Sequence, residues 1–198
     1  RYFKTLKLMN FEIVAICENK KELLNDLKSF KSIYKTNNYK SLLNLKADLL
    51  CVACNTKSRF KILLDFCYNK NIKRIITEKP LSSSYSKCLA ISKAIKKNKI
   101  RVVVNTHRTY SPNYFMIKEI LNKAKEKITS VIINSPSAGL GNMGSTFFDL
   151  GFFFFNCPPK SIVSWIDKMN TVNPRGQEFK DPGGYGIINF LNNKKLFF

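Results

Sequence analysis

Two rhythms of apolar and polar residues divide the chain. Through the first hundred or so positions, short and nearly unbroken apolar runs recur: FEIVAIC (11–17), ADLLCVAC (47–54), IKRIITE (72–78) and IRVVVNT (100–106). Runs this short and this rich in Ile and Val predict strands buried on both faces. Between them lie KKELLNDLKSF (20–30), YKSLLNLK (39–46), RFKILLDFCYNKN (59–71) and YSKCLAISKAIKKNK (85–99), where apolar residues return every three or four positions, as on one face of a helix. RYFKTLKL (1–8) reads as the last turns of a further helix. Strands alternating with helices predict right-handed crossovers and a doubly wound parallel sheet over residues 1–108.

After the Ser-Pro step at 111–112 the rhythm changes. A helix (NYFMIKEILNKAKEK, 113–127) precedes a strand (ITSVIINS, 128–135), a Gly-rich loop (SAGLGNMGS, 137–145) and a short, very apolar helix (TFFDLGFFFFN, 146–156). A strand KSIVSWID (160–167), a long loop (168–184) and a hairpin follow, in which YGIINFL and KKLFF flank an Asn-Asn turn at 192–193. The pattern predicts a second, α+β domain over 109–198 with an open, mostly antiparallel sheet.

Composition changes this picture little. The formal charge of +21 comes from 34 Lys plus Arg against 13 Asp plus Glu, enough to attract polyanions. The lysines, however, lie singly or in pairs on amphipathic segments, with no basic arm, zinc-finger spacing or aromatic RNA-binding motif, so a nucleic-acid partner is not expected. The six cysteines fall mostly inside apolar strand and helix patterns. Cys51 and Cys54 are spaced CxxC, but without a second pair and with a single His no metal site is expected. Reduced thiols in a cytoplasmic protein are the expectation. The greasiest stretch is too short to span a bilayer, for which roughly 20 residues are needed, and Asp149 interrupts it, so no membrane association is expected.

The chemistry concentrates where the strands end. In a doubly wound sheet the ligand crevice lies beyond the carboxyl ends of the strands, here Glu18, Asn55, Glu78 to Pro80, and Asn105 to Arg108. RIITEKPLSSS (74–84) stops a strand with a charge pair and a proline, which cannot continue a ladder. Lys79, held on that bend, is the candidate for chemistry at this edge. Glu18, at the tip of its strand, places an acidic side chain on that same edge.

With these motifs in order, the chain resembles the glucose-fructose oxidoreductase and inositol dehydrogenase family (Gfo/Idh/MocA), two-domain nicotinamide-dependent sugar oxidoreductases with a Rossmann-like first domain. EKPL after a strand is the most specific match; VACNTKSR, VNTHRTYSP and DPGGYGIINF resemble the preceding loop, the domain crossover and the open C-terminal sheet. The resemblance implies hydride transfer between a nicotinamide and a hydroxyl carbon of a sugar, polyol or nucleotide sugar. NAD is the expected cofactor, with NADP as the other candidate. By that resemblance Lys79 is the catalytic group beside the nicotinamide, where a buried ammonium with a lowered pKa would move the proton and stabilise the alkoxide. Glu18 would accept hydrogen bonds from the ribose hydroxyls and repel the extra phosphate of NADP, and Glu18, Asn55, Glu78, Lys79, Pro80, Asn105 and Arg108 line the cofactor or substrate. The C-terminal sheet is expected to form a homo-oligomer, with Phe190, Phe197 and Phe198 as candidate contacts.

Two departures from the family pattern stand out. Fingerprint glycines are expected about 20 residues before the ribose-binding acid, which from Glu18 falls at or before residue 1. The phosphate loop and first strand are therefore expected outside the chain, which looks truncated at both ends. The family's substrate helix also carries an Asp, three residues, a His, and a further Asp three positions on. Aligning GNMGSTFFDL places Asn142 at the first Asp, Thr146 at the His and Asp149 at the last. Neither Asn nor Thr titrates near neutrality, and the single His, His107, lies in the crossover. Proton transfer then falls to Lys79 or water; the alternative is a catalytically degenerate member acting as a binding or regulatory subunit. Asp149 is expected as a buried helix residue paired with a neighbour.

Overall fold

The computed structural model describes residues 2–25, 31–69, 71–135, 139–168 and 181–198. The chain divides into two compact units, Arg1–Asn105 and Thr106–Phe198.

The first unit is built from α1 (Tyr2–Leu8), β1 (Ala15–Cys17), α2 (Lys21–Asn25), β2 (Tyr34–Thr36), β3 (Leu50–Val52), α3 (Thr56–Tyr68), β4 (Arg74–Glu78), α4 (Tyr85–Asn98) and β5 (Arg101–Asn105). Every strand pairing in it is parallel, β1 with β2 and β3 with β4 with β5. Val52 from β3, Leu63, Phe66 and Cys67 from α3, Ile75 from β4, and Ile91 and Ala94 from α4 make one buried cluster. Helices and strands thus bury each other's apolar faces, the arrangement the alternating pattern predicts.

Three expectations are corrected here. YKSLLNLK forms a short 3-10 helix, Tyr39–Asn44, capped by the side chain of Asn38. β2, which the apolar pattern did not indicate, pairs with β1. The run FEIVAIC gives only a three-residue strand, with Phe11 and Val14 exposed. Among the described residues no ladder joins β1 to β3, and Ala15, Ile16 and Cys17 are half-buried where the run predicted burial on both faces. Residues 26–30 of the predicted helix 20–30 lie outside the described residues.

The second unit comprises a 3-10 turn (His107–Tyr110), α5 (Pro112–Lys123), β6 (Ser130–Ile132), α6 (Leu140–Phe155), β7 (Pro159–Ile166), β8 (Gly184–Phe190) and β9 (Lys195–Phe197). Its sheet has the order β6-β9-β8-β7, with β6 parallel to β9 and the other pairs antiparallel. Asn192 and Asn193 both take positive φ, 60° and 59°, in the predicted hairpin turn. Met143, Phe147 and Phe155 of α6 pack on Ile188, Phe190 and Leu196 of the sheet.

The Gly-rich stretch is shorter as a loop than its composition predicts, because α6 already begins at Leu140. Asp181 explains why: its carboxylate accepts the backbone N–H groups of Gly141 (2.6 Å) and Asn142 (3.1 Å), capping the helix. A Cβ on Gly139 would lie 2.1 Å from Asp181 Cγ, so this glycine makes room for the cap. The helix is buried on one face only, since Phe152 on the other is 52 % exposed. Phe190 and Phe198 pack against α6, at 5.0 Å from Phe155 and 5.5 Å from Phe147, and of the three expected contact phenylalanines only Phe197 shares the opposite face, in register with Ile187. The long loop expected over 168–184 falls mostly outside the described residues.

Candidate active site and cofactor edge

Parallel register puts the carboxyl ends of β4 and β5 side by side, Glu78 beside Asn105. Glu78 Oε1 accepts hydrogen bonds from Asn105 Nδ2 (2.9 Å) and from the hydroxyl of Tyr2 (2.9 Å) at the start of α1; Asn105 Nδ2 also lies 3.1 Å from the Tyr2 hydroxyl. Burial, reinforced by the Glu78 carboxylate, pushes the Tyr2 phenol up to about 12. Tyr2 therefore stays a neutral donor at physiological pH, and the carboxylate is fixed from two sides.

Lys79 follows directly, half-buried, and is joined to Pro80 by a cis peptide bond. The bend is held from behind by Arg59 of α3, only 3 % exposed. Its guanidinium donates to the carbonyl of Pro80 and, at 2.5 Å, to the carbonyl of Cys54 in the loop after β3. Two loops at neighbouring strand ends are thereby tied to one planar, permanently charged group. Sequence reading missed Arg59 and Tyr2. The first stands in an amphipathic helix pattern that gives no sign that its head is buried, and the second sits among the chain's first residues; neither reveals its long-range partner.

Asn55 is the N-cap of α3, its side-chain oxygen accepting the N–H of Ser58 at 2.9 Å. Its amide oxygen is thus committed to the helix start. Glu18 stands half-buried at the tip of β1, where its backbone N–H donates to Thr36 O (3.0 Å) and its Oε1 accepts the N–H of Lys20 (3.1 Å). Among the described residues Glu18 Oε2 takes no protein hydrogen bond, so an acceptor remains at the strand tip for a diol.

The remaining predicted positions belong to the second unit. Arg108 and Thr146 line one cleft of about 380 Å³, walled by Tyr114, Ile133, Phe147 and Phe154 among others. Thr146 is 3 % exposed, and Asn142 lies a turn earlier on α6 with its backbone in the Asp181 cap. Asp149 departs from expectation: its Oδ2 is buried without a hydrogen-bond partner among the described residues. His107 is exposed in the 3-10 turn.

A model of an oxidoreductase family with an NAD-binding Rossmann fold matches residues 2–106, more than half of the chain. The protein belongs to that family, Gfo/Idh/MocA. Comparison with curated proteins gives no match. Among solved structures the fold is similar to myo-inositol 2-dehydrogenase from Lactobacillus plantarum, at 17 % identity and a TM-score of 0.74, covering 94 % of this chain and 60 % of that one. It is also similar to the WlbA dehydrogenase from Bordetella pertussis, solved with NADH and UDP-GlcNAcA, at 14 % identity and a TM-score of 0.74, covering 94 % and 62 %. The chain thus spans about three-fifths of the length of these relatives. The family's cofactor is NAD, and polar groups at the carboxyl ends of the parallel strands fit it: at the tip of β1 a carboxylate with an acceptor to spare, and in the β3-β4-β5 sheet strand ends held by hydrogen bonds to the Glu78 carboxylate. No described helix is long and apolar enough to cross a membrane.

Proposed function

We propose that the protein is an NAD-dependent oxidoreductase acting on a hydroxyl carbon of a sugar, polyol or nucleotide sugar, with Lys79 as the proton-transfer group. The observation that carries this reading is the anchored bend at the end of β4: Glu78 fixed by Tyr2 and Asn105 on one side of Lys79, and Pro80 held by buried Arg59 on the other. A general acid or base contributes only if its position is defined, and both neighbours of Lys79 are pinned.

Bound NAD supplies the hydride acceptor. Glu18 would accept hydrogen bonds from the ribose hydroxyls through its spare oxygen, and its charge would disfavour a 2′-phosphate, favouring NAD over NADP. Lys79 takes the hydroxyl proton as the carbonyl forms and returns it in the reverse direction. Neither Asn142 nor Thr146 titrates near neutrality; within the second unit Thr146 offers a hydroxyl to the cleft that it lines with Arg108, a cation suited to an acidic or phosphorylated ligand. The UDP-GlcNAcA bound by WlbA is a ligand of that kind.

We assign self-association to the open face of the C-terminal sheet, where Trp165 and Tyr185 stack at 5.2 Å and are 52 % and 59 % exposed. The functional reading is tested by following NADH formation at 340 nm with a panel of polyols, sugars and nucleotide sugars. Turnover with a member of the panel supports it; NADH binding by fluorescence with no turnover on any member contradicts it.

A further inference from the structure

The opposite, amino-terminal edge of the same parallel strands carries a feature that hydride transfer does not use. Lys73, Arg74, Lys99 and Arg101, with Asp48, Asn71 and Ala47, line a concavity of about 370 Å³. Arg74 opens β4 and Arg101 opens β5, and the two are direct register partners. Adjacent strands run about 4.8 Å apart and in-register residues share a face, so two guanidinium-bearing side chains leave the sheet side by side. Like charges so placed repel. Among the described residues none of the four cations takes part in an ion pair, and Asp48 is the one carboxylate in the lining.

Compositional bias accounts for the lysines but poorly for the arginines. The chain has 28 Lys and only 6 Arg, and two of those six stand in this pair. Arginine differs from lysine in its planar fork of donors, which matches phosphate oxygens two at a time. The frame beneath is fixed as well. The N–H of Arg101 donates to Lys73 O at 2.9 Å, and Lys99 closes α4 in a left-handed conformation (φ 53°). Asn71 is tied to Leu43 O through its side-chain amide at 2.9 Å.

We propose that this concavity is a binding site for a small molecule carrying linked phosphate groups, held by Arg74 and Arg101 together with Lys73 and Lys99. A ligand there screens the repulsion between the paired arginines and sits about 13 Å along each strand from Glu78 and Asn105. It is remote from the cofactor edge, and the assignment stands whether or not that edge performs hydride transfer. A local hollow of seven residues suits a compact ligand better than the continuous basic track that a nucleic acid follows.

The test is calorimetric titration of the protein with inorganic tripolyphosphate and with ATP at fixed ionic strength. The Arg74→Gln/Arg101→Gln double variant is compared with a Lys160→Gln/Lys168→Gln control that removes equal charge from exposed positions of the second unit. All four residues are exposed, and circular dichroism checks that both variants fold. The arginine variant is expected to lose affinity about a hundredfold and the control less than about threefold. Equal affinity for the two ligands assigns recognition to the phosphates alone, and tighter ATP binding adds a nucleoside; either supports the site. Absence of binding, or equal losses in both variants, overturns it, as does a single-stranded oligonucleotide held through the same arginines more than tenfold tighter than tripolyphosphate.

Discussion

Arg59 shows how one buried charge organises an edge. Its guanidinium ties the carbonyls of Cys54 and Pro80, which belong to loops after different strands. Arg59→Ala removes charge-assisted bonds and leaves two part-buried carbonyls unmet, so a loss of about 2 kcal/mol is expected in urea unfolding. Arg59→Lys is expected to recover at most half, because a single ammonium cannot reproduce a planar fork. Tyr2 provides a second test at this scale. Its folded pKa, about 12, lies above the ordinary value of 10.0, so the folded state binds this proton more tightly than the unfolded one. The resulting stability is fully present below pH 10 and is lost as pH rises through 12. In Tyr2→Phe, absorbance titration at 295 nm should show one fewer late-titrating tyrosine, and the stability gap between variant and parent should close over the same range.

At the scale of elements, α6 is the informative case. Its N-terminus depends on a carboxylate 40 residues along the chain from Gly141, so Asp181→Ala should cost about 1 kcal/mol by thermal unfolding. Gly139→Ala should cost at least as much, because the new Cβ collides with the same carboxylate. The long-range cap also explains what the sequence concealed. Three glycines ahead of an apolar run look like a loop when only local propensity is read, whereas here they open a helix whose first turn is closed by a distant acid. The parallel strands β3 to β5 and the hairpin with its paired asparagines were legible because their signals are local: short, mostly apolar runs, and a turn that demands positive φ. β2 was not, since its three residues carry no run of that kind. At the site, Glu78, Lys79 and Pro80 stood out as breakers at a strand end. Their anchors, Tyr2 and Arg59, depend on tertiary contact and left no pattern to read.

For the whole molecule, the charge of +21 and the open sheet face act against each other. Net positive charge opposes association, while stacked Trp165 and Tyr185 on an uncovered face favour it. If that face is the contact, Trp165→Glu should convert an oligomer to a monomer in light scattering, and added salt should strengthen association of the parent protein by screening the repulsion. Hydride transfer as proposed here turns on Lys79. Its most direct test is the steady-state turnover of Lys79→Met on a substrate found in the panel, with NADH binding followed in parallel by fluorescence. A fall in kcat of about 10² to 10⁴ is expected, with NADH affinity changed by no more than a few-fold; an unaltered kcat would contradict a proton-transfer role for Lys79.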